Sequence, residues 1–150
     1  LMKDDVKNIG KLREMTGAGV MECKKALRES SGDLDKAVKI IQEQGLAKVE
    51  KRAGREAGAG LIESYTHNER IGVLVDVRAE TDFVVRSEPF RKLAHELAMQ
   101  IAAMAPADVE ELLKQPYIKD ESKTMGDLVK EVIAKVGENV KVNGFSRMEV

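Results

Sequence analysis

The sequence predicts an α+β fold in two modules, a small helical bundle followed by helices packed on an antiparallel sheet. Apolar residues recur every three or four positions in residues 1–45 and in two later stretches, which is typical of helices with one buried face. Two β-rich runs lie next to each other across a short polar segment, as in a hairpin. The charge divides similarly, with 13 basic and 10 acidic side chains in residues 1–60, and 12 and 16 in residues 61–150.

The composition is typical of a globular protein of a reducing compartment. A chain of 150 residues with 43% apolar side chains can bury a sizeable core. A single cysteine cannot form an internal disulfide, and the first residues lack the apolar core of a signal peptide, so we expect the cytoplasm or an organelle matrix. No run approaches the ~18 consecutive apolar residues of a membrane span. The net charge of -1 gives no general attraction to nucleic acid, so neither a membrane nor a nucleic-acid partner is expected.

Three helices are predicted in residues 1–45, where they would form a very small bundle. The first begins near Asp4 and ends before Gly17, the second begins after Gly19, and the third is capped by Asp33 and ends at Gly45. The apolar residues of these helices are Val6, Ile9, Leu12 and Met15 in the first, Val20, Cys23 and Leu27 in the second, and Leu34, Ala37, Val38 and Ile41 in the third. Residues 46–60 lack an apolar stripe wide enough for a core helix and are predicted to be a basic linker, part of which could be helical.

The second module, residues 61–150, begins with strands predicted at 61–66 and 71–79. A long helix follows Ser87, and another follows Thr124. The inward-facing residues are expected to be Val73, Val75 and Val77 in the second strand, Phe90, Leu93, Ala94, Leu97, Ile101 and Met104 in the long helix, and Met125, Leu128, Val129, Val132, Ile133 and Val136 in the last helix. Residues 139–150 are β-rich again. The interruption at Asn143 and Gly144 fits either a hairpin turn or a bulge in one strand.

No recognisable catalytic, metal or nucleotide-binding motif is present. His95 and Glu96 open a string like that of zinc proteases, but Met99 occupies the place of the second histidine. The glycines of residues 54–60 precede a strand, whereas phosphate-binding loops follow a strand and open a helix. We therefore expect no enzymatic activity, no metal and no cofactor.

Two features indicate an interaction surface instead. Met21 lies away from the apolar face of the second helix, so its side chain should face solvent. Phe83 is a bulky aromatic residue in the connection between a strand and the long helix. Thr81 could cap a helical turn there, with Asp82 at its N-terminus, and the local pattern favours Phe83 as a buried plug of the corner over an exposed ring.

Several sequence blocks resemble the elongation factor Ts family, guanine nucleotide exchange factors for elongation factor Tu. They run from 12 to 27 (LREMTGAGVMECKKAL), from 80 to 84 (ETDFV) and from 133 to 140 (IAKVGENV), and they occur in the family's order. The resemblance implies an N-terminal three-helix domain like ubiquitin-associated (UBA) domains at 1–45, a linker at 46–60, and a core at 61–150 with a three-stranded antiparallel sheet. It also implies that short members can pair as homodimers through the core sheet, for which residues 140–150 are the candidate if they form an edge strand.

The resemblance also implies which residues bind the partner. Asp82 and Phe83 would intrude near the magnesium and nucleotide site of elongation factor Tu, while Arg13, Val20 and Met21 would be the contacts of the N-terminal domain. The resemblance therefore favours an exposed Phe83, whereas the local pattern favoured a buried one. The alternative function is that of a small adaptor, whose helical module binds ubiquitin-like or helical partners without nucleotide exchange.

Overall fold

The structure is a computed structural model that describes residues 3–150, and these residues form two compact units that divide between Lys51 and Arg52. The elements of the described part follow one another in this order: α1 (Lys3–Thr16), α2 (Val20–Glu29), α3 (Leu34–Arg52), β1 (Ala59–His67), β2 (Ile71–Ala79), α4 (Asp82–Val85), α5 (Glu88–Met104), α6 (Val109–Lys114), β3 (Pro116–Tyr117), β4 (Asp120–Thr124), α7 (Met125–Val136) and β5 (Val140–Glu149). The predicted α+β fold, a three-helix bundle followed by helices on a three-stranded antiparallel sheet, is confirmed. Within residues 3–150, no helix has both the length and the apolarity to cross a membrane.

The first unit is a bundle of α1, α2 and α3 around a small apolar core. α1 ends where Gly17 adopts a φ of 71°, a left-handed conformation that glycine takes at little cost. α3 begins after Asp33, whose carboxylate accepts a hydrogen bond from the Lys36 amide at 3.0 Å, so the predicted cap is confirmed. The core consists of Ile9, Leu12, Cys23, Ala26, Leu27, Ala37 and Ile41.

Two apolar residues of α1 lie outside this core, although they continue its three-residue spacing. Val6 and Met15 are 62% and 60% exposed, whereas Ile9 and Leu12 between them are buried. A step of three residues turns a helix by about 300°, so each side chain falls about 60° behind the previous one. The two ends of the stripe therefore point to opposite sides of the buried pair.

α3 is longer than the sequence predicted. Its end was expected at Gly45, but the helix continues to Arg52 through the first part of the predicted linker. A glycine inside a helix costs about 1 kcal/mol relative to alanine, which a run of good helix formers can outweigh. The residues that follow Gly45 include Leu46, Ala47, Lys48, Glu50 and Lys51. Only residues 53–58 remain between the end of α3 and the start of β1.

The second unit is built on a three-stranded antiparallel sheet in the order β1-β2-β5. The predicted hairpin is confirmed, with Leu61 opposite Val77 in β1 and β2. Val73, Val75 and Val77 are at most 3% exposed, as their alternation predicted. α5 contacts β1, β2 and α7 with one apolar face. The buried apolar residues of α5 are Phe90, Leu93, Ala94, Leu97, Ala98, Ile101 and Ala102.

A bulge, rather than a hairpin turn, interrupts the last β-rich stretch. Asp76 of β2 lies opposite Gly144, and the next residue, Val77, lies opposite Val142, so Asn143 is the extra residue of a single strand. The side-chain amide of Asn143 donates a hydrogen bond to the Asp76 carboxylate at 3.0 Å. Because the strand order ends with β5, this strand forms an edge of the sheet. The condition for pairing through β5 is therefore met, and the dimer itself stays a prediction.

A short helix and a two-stranded hairpin between α5 and α7 escaped the sequence prediction. The hairpin is held by polar side chains of α5. The fully buried Gln100 donates to the Pro116 carbonyl at 3.1 Å and accepts from the Ile118 amide at 3.0 Å. The buried Glu96 accepts hydrogen bonds from the Tyr117 hydroxyl at 2.7 Å and from the Lys119 ammonium at 2.8 Å. β3 has only two residues and β4 is polar, so neither strand shows the apolar alternation that marks β1 and β2.

Candidate partner-binding site

One helical turn, α4, joins the sheet to the long helix and carries the most exposed aromatic side chain. The chain leaves β2 at Ala79, and Thr81 caps α4 in an extended conformation with a φ of -130°. The Thr81 hydroxyl accepts a hydrogen bond from the Val84 amide at 3.4 Å. Phe83 is 86% exposed, whereas Val84 and Val85 are 4% and 7% exposed. The turn is therefore held to the unit by its two valines, with the ring on its outer side.

The interpretation of Phe83 as a plug of this corner is wrong. The corner is filled by Val84 and Val85, and the phenyl ring stands outside it. The capping role of Thr81 and the place of Asp82 in the first turn are confirmed, and the Asp82 side chain is exposed. Burying a phenylalanine side chain typically stabilises a fold by about 1.5–3 kcal/mol, a contribution that Phe83 does not make. Its apolar surface is available to another molecule.

Two acidic residues hold this corner against the segment that follows α7. The Glu138 carboxylate accepts hydrogen bonds from the Thr81 amide at 2.9 Å and from the Thr81 hydroxyl at 2.7 Å. In the opposite direction, the Glu80 carboxylate accepts from the Asn139 amide at 2.9 Å. The side chain of Asn139, which is 5% exposed, donates to the Arg55 carbonyl at 2.8 Å. In the sequence, Glu138 and Asn139 served only as part of a block that resembles the family. Their contacts span 57 or more residues, and such contacts leave no local signal in a sequence.

The three predicted N-terminal contacts lie at the connection between α1 and α2. Arg13 is in the last turn of α1 and is exposed. Val20 and Met21, the first two residues of α2, are 46% and 74% exposed. The prediction that Met21 faces solvent is confirmed. Val20 is more exposed than its place on the apolar face of α2 suggested, because that face begins to be covered only at Cys23. This cluster belongs to the first unit, and Phe83 belongs to the second.

Side chains of the kinds that ligate metal ions do not cluster in the part of the chain that the structure describes. In residues 3–150, no three His, Cys, Asp or Glu side chains are grouped so that they could hold a metal ion. Cys23 is fully buried, and burial raises the pKa of its thiol. A thiol in such a place packs rather than reacts.

The concave surface next to α4, lined by Phe83, Arg86 and Ser87, is an open recess beside the exposed ring.

Known proteins match the chain over most of its length. Residues 80–150 match the sequence model of the family described as Elongation factor TS. The chain is 43% identical to elongation factor Ts of Coprothermobacter proteolyticus, over 93% of the chain and 94% of that relative. It is 44% and 41% identical to elongation factor Ts of Thermotoga neapolitana and of Thermotoga maritima, each over 95% of the chain and 94% of the relative. The chain therefore belongs to the elongation factor Ts family, a family of translation elongation factors.

Proposed function

We propose that the chain is a guanine nucleotide exchange factor that binds elongation factor Tu and accelerates its release of GDP. Asp82 and Phe83 would act near the magnesium and nucleotide site of the partner, with the ring entering an apolar gap between two of its helices. The observation that carries this proposal is the exposure of Phe83, 86%, on a turn whose next two residues are buried. A rigidly based, exposed ring suits insertion into another protein, because little conformational freedom is lost on binding.

The proposed mechanism is a shift of populations. A factor accelerates GDP release only if it binds the nucleotide-free or distorted partner more tightly than the GDP form, and each 1.4 kcal/mol of difference changes the affinity about tenfold. Phe83 would supply this difference by filling a gap that exists only when the partner's helices have separated. Asp82 would disfavour the original magnesium arrangement through its charge or a hydrogen bond. By reciprocity, bound GDP and Mg²⁺ would weaken the hold of the factor, which performs no covalent chemistry in this proposal.

The N-terminal unit would add affinity to this complex. Arg13, Val20 and Met21 combine a cation with exposed apolar side chains at one connection of the bundle. Exposed methionine adapts its shape to an apolar partner surface, and arginine is enriched in protein interfaces. These residues would contribute similar binding energy to both states of the partner, so they would change the affinity more than the maximum exchange rate.

A homodimer through the core sheet is part of the proposal. β5 lies at an edge of the sheet. Three apolar side chains lie on the side of the sheet opposite to the buried valines of β2. They are Ile62, Leu74 and Met148, and they are 59%, 53% and 78% exposed. Apolar surface of this kind is typical of an interface between copies.

Release of fluorescent GDP from elongation factor Tu tests the function directly. The partner is loaded with labelled GDP, mixed with the chain and an excess of unlabelled GDP, and the loss of fluorescence is followed in a stopped-flow instrument. We expect the release rate to rise with the concentration of the chain and to saturate. If the chain binds the partner but leaves the rate unchanged, the adaptor function replaces exchange. If it neither binds nor accelerates, elongation factor Tu is not its partner.

A further inference from the structure

One carboxylate, that of Glu138, holds Thr81 at the corner between β2 and α4. Glu138 reaches from the segment after α7 and accepts two hydrogen bonds from one residue, the amide and the hydroxyl of Thr81, at 2.9 Å and 2.7 Å. Hydrogen bonds to an ionised acceptor are roughly twice as strong as those between neutral groups. These two bonds use both hydrogen-bond donors of Thr81, so they fix both its backbone and its side chain.

The Thr81 hydroxyl transmits this constraint to α4. A hydroxyl carries one proton and two lone pairs. When the proton is donated to Glu138, a lone pair is left to accept from the Val84 amide, which lies 3.4 Å away. Glu138 therefore orients the hydroxyl that caps the turn. The cap sets the residue at which α4 begins. It therefore sets which side chains face inward, Val84 and Val85, and which face outward, Phe83 among them.

Glu138 is itself held in place. α7 ends at Gly137, whose φ of 77° turns the chain in a left-handed conformation and directs the next residue toward the corner. Asn139 is then fixed by its amide, which donates to Glu80, and by its side chain, which donates to the Arg55 carbonyl. The Glu138 carboxylate is thus presented from a segment that is bonded on both sides.

We infer that Glu138 is a positioning residue for Phe83: its carboxylate fixes the Thr81 cap and thereby the direction in which the ring is presented. The inference rests on the proposed exchange function. Glu138 need not contact the nucleotide or the partner, and its effect passes through Thr81. A chain with a loosened cap would present the ring in several directions even when it is bound to the partner through its other contacts. Only the fraction with the ring in the inserting direction would then accelerate GDP release, so the maximum rate would fall.

Glu138→Ala and Glu138→Gln test this inference, with Glu131→Ala as the matched control. Glu131 is a carboxylate of α7 that pairs with Lys123 at 3.2 Å, away from the corner. We expect Glu138→Ala to lower the maximum rate of GDP release about five- to tenfold, the factor that corresponds to a lost cap of ordinary strength. Glu138→Gln should lose less, because its amide oxygen can still accept one of the two hydrogen bonds. The half-saturating concentration should change little more than in the control, whereas the melting temperature should fall modestly, because a helix cap also contributes to stability.

The path through Thr81 is tested by a double-mutant cycle. Thr81→Ser keeps the hydroxyl and should exchange GDP at nearly the wild-type rate, while Thr81→Ala should resemble Glu138→Ala. The double variant Thr81→Ala with Glu138→Ala should lose no more than either single variant, because both break the same connection. Additive losses would show that Glu138 acts by another route and would overturn the inference.

Hydrogen exchange in the free chain gives a readout that needs no partner. The Val84 amide should exchange with solvent faster in Glu138→Ala than in Glu131→Ala, because its acceptor is no longer oriented. An unchanged Val84 amide overturns the inference, and so does a faster amide with an unchanged maximum rate of GDP release. If the wild type does not accelerate GDP release, the proposed function fails instead, and the Val84 amide still decides whether Glu138 controls the cap.

Discussion

Phe83 and Val84 are neighbours in the chain, yet the first is 86% exposed and the second 4%. One helical turn, α4, produces this difference, since successive residues of a helix point about 100° apart. The valine contributes to the fold, and the phenylalanine contributes nothing to it that the structure reveals. Function and stability can therefore be changed separately at these two positions.

Phe83→Ala should lower the maximum rate of GDP release from elongation factor Tu by at least tenfold, because the variant has lost the side chain proposed to enter the partner. Its melting temperature should stay near that of the wild type, since the ring is exposed. Val84→Ala is the contrasting control, because removing two buried methyl groups from the next residue should destabilise the chain by roughly 1–3 kcal/mol. Stopped-flow fluorescence and thermal unfolding measure the two effects. A large loss of stability in Phe83→Ala would contradict the exposed position of the ring.

Met21→Ala should weaken binding to elongation factor Tu several-fold and leave the rate at saturation nearly unchanged. Met21 is 74% exposed, so the loss of its side chain should not unfold the bundle. Val6→Ala removes another exposed apolar side chain of the same unit, 62% exposed, and should leave the affinity unchanged. Titration of the release rate against the concentration of the factor separates affinity from maximum rate. Equal effects of the two variants would remove Met21 from the proposed contacts.

Leu74→Lys should convert the proposed homodimer to a monomer. Leu74 lies on β2, the central strand, and is 53% exposed on the side opposite to the buried valines. A lysine there would place a charge in an apolar interface, at a cost that a surface position would not impose. Sedimentation velocity of the wild type and the variant over the same range of concentrations measures the change. A wild type that sediments as a monomer throughout this range would refute the dimer.

Gly137→Ala should destabilise the chain by about 1–2 kcal/mol, because an alanine in the left-handed conformation is strained even where space is open. A Cβ atom at Gly137, with a φ of 77°, would meet no heavy atom within 4 Å, so any loss of stability reports the backbone alone. Gly10→Ala is the matched opposite, since Gly10 lies inside α1 with equally open space. This variant should stabilise the chain by roughly 0.5–1 kcal/mol. Urea unfolding of both variants measures the difference.

The contact between Tyr117 and Glu96 should make stability fall at both ends of the pH scale. Burial and the hydrogen bond to Glu96 raise the pKa of Tyr117 from 10.0 to about 12. The neutral phenol is thus favoured in the fold, and its contribution is present below pH 10.0 and lost as the pH rises toward about 12. Tyr117→Phe should remove this alkaline loss in urea unfolding followed against pH. A loss of the same size in the variant would assign it to other groups.

The ionisation of Glu96 affects stability at the acid end of the pH scale, in the opposite direction to that of Tyr117. Burial raises the pKa of its carboxyl, but hydrogen bonds from Lys119 and Tyr117 outweigh burial and leave the pKa below its usual 4.5. The contribution of the ionised carboxylate is therefore present above pH 4.5 and lost as the pH falls through the lower pKa of the folded state. In the same pH series, Glu96→Gln should be less stable than the wild type near neutrality and should show a smaller acid loss.

The sequence predicted those elements whose pattern is local. α5 and β2 are buried on one face, so their apolar residues repeat with the period of the helix or the strand. The cap of α3 at Asp33 could be predicted for the same reason. The end of α3 could not, because Gly45 ends a helix only when the residues after it prefer another conformation. The outward position of Phe83 depends on Thr81 and on a carboxylate 57 residues away, which no local pattern contains.

The extra residue at Asn143 has a consequence for the whole of β5. Before the bulge, the side chains that face the core belong to even-numbered residues, Val140 and Val142. After the bulge they belong to odd-numbered residues, Phe145 and Arg147. Phe145 lies opposite Val75, and Arg147 donates a hydrogen bond to the Ala102 carbonyl of α5. Because Asn143 is left unpaired, β5 can change from even-numbered to odd-numbered core residues while it stays paired with β2 on both sides of the bulge. A strand shortened by one residue at this point would keep every later side chain on its side of the sheet, whereas a deletion away from the bulge would turn some side chains of β5 to the other face.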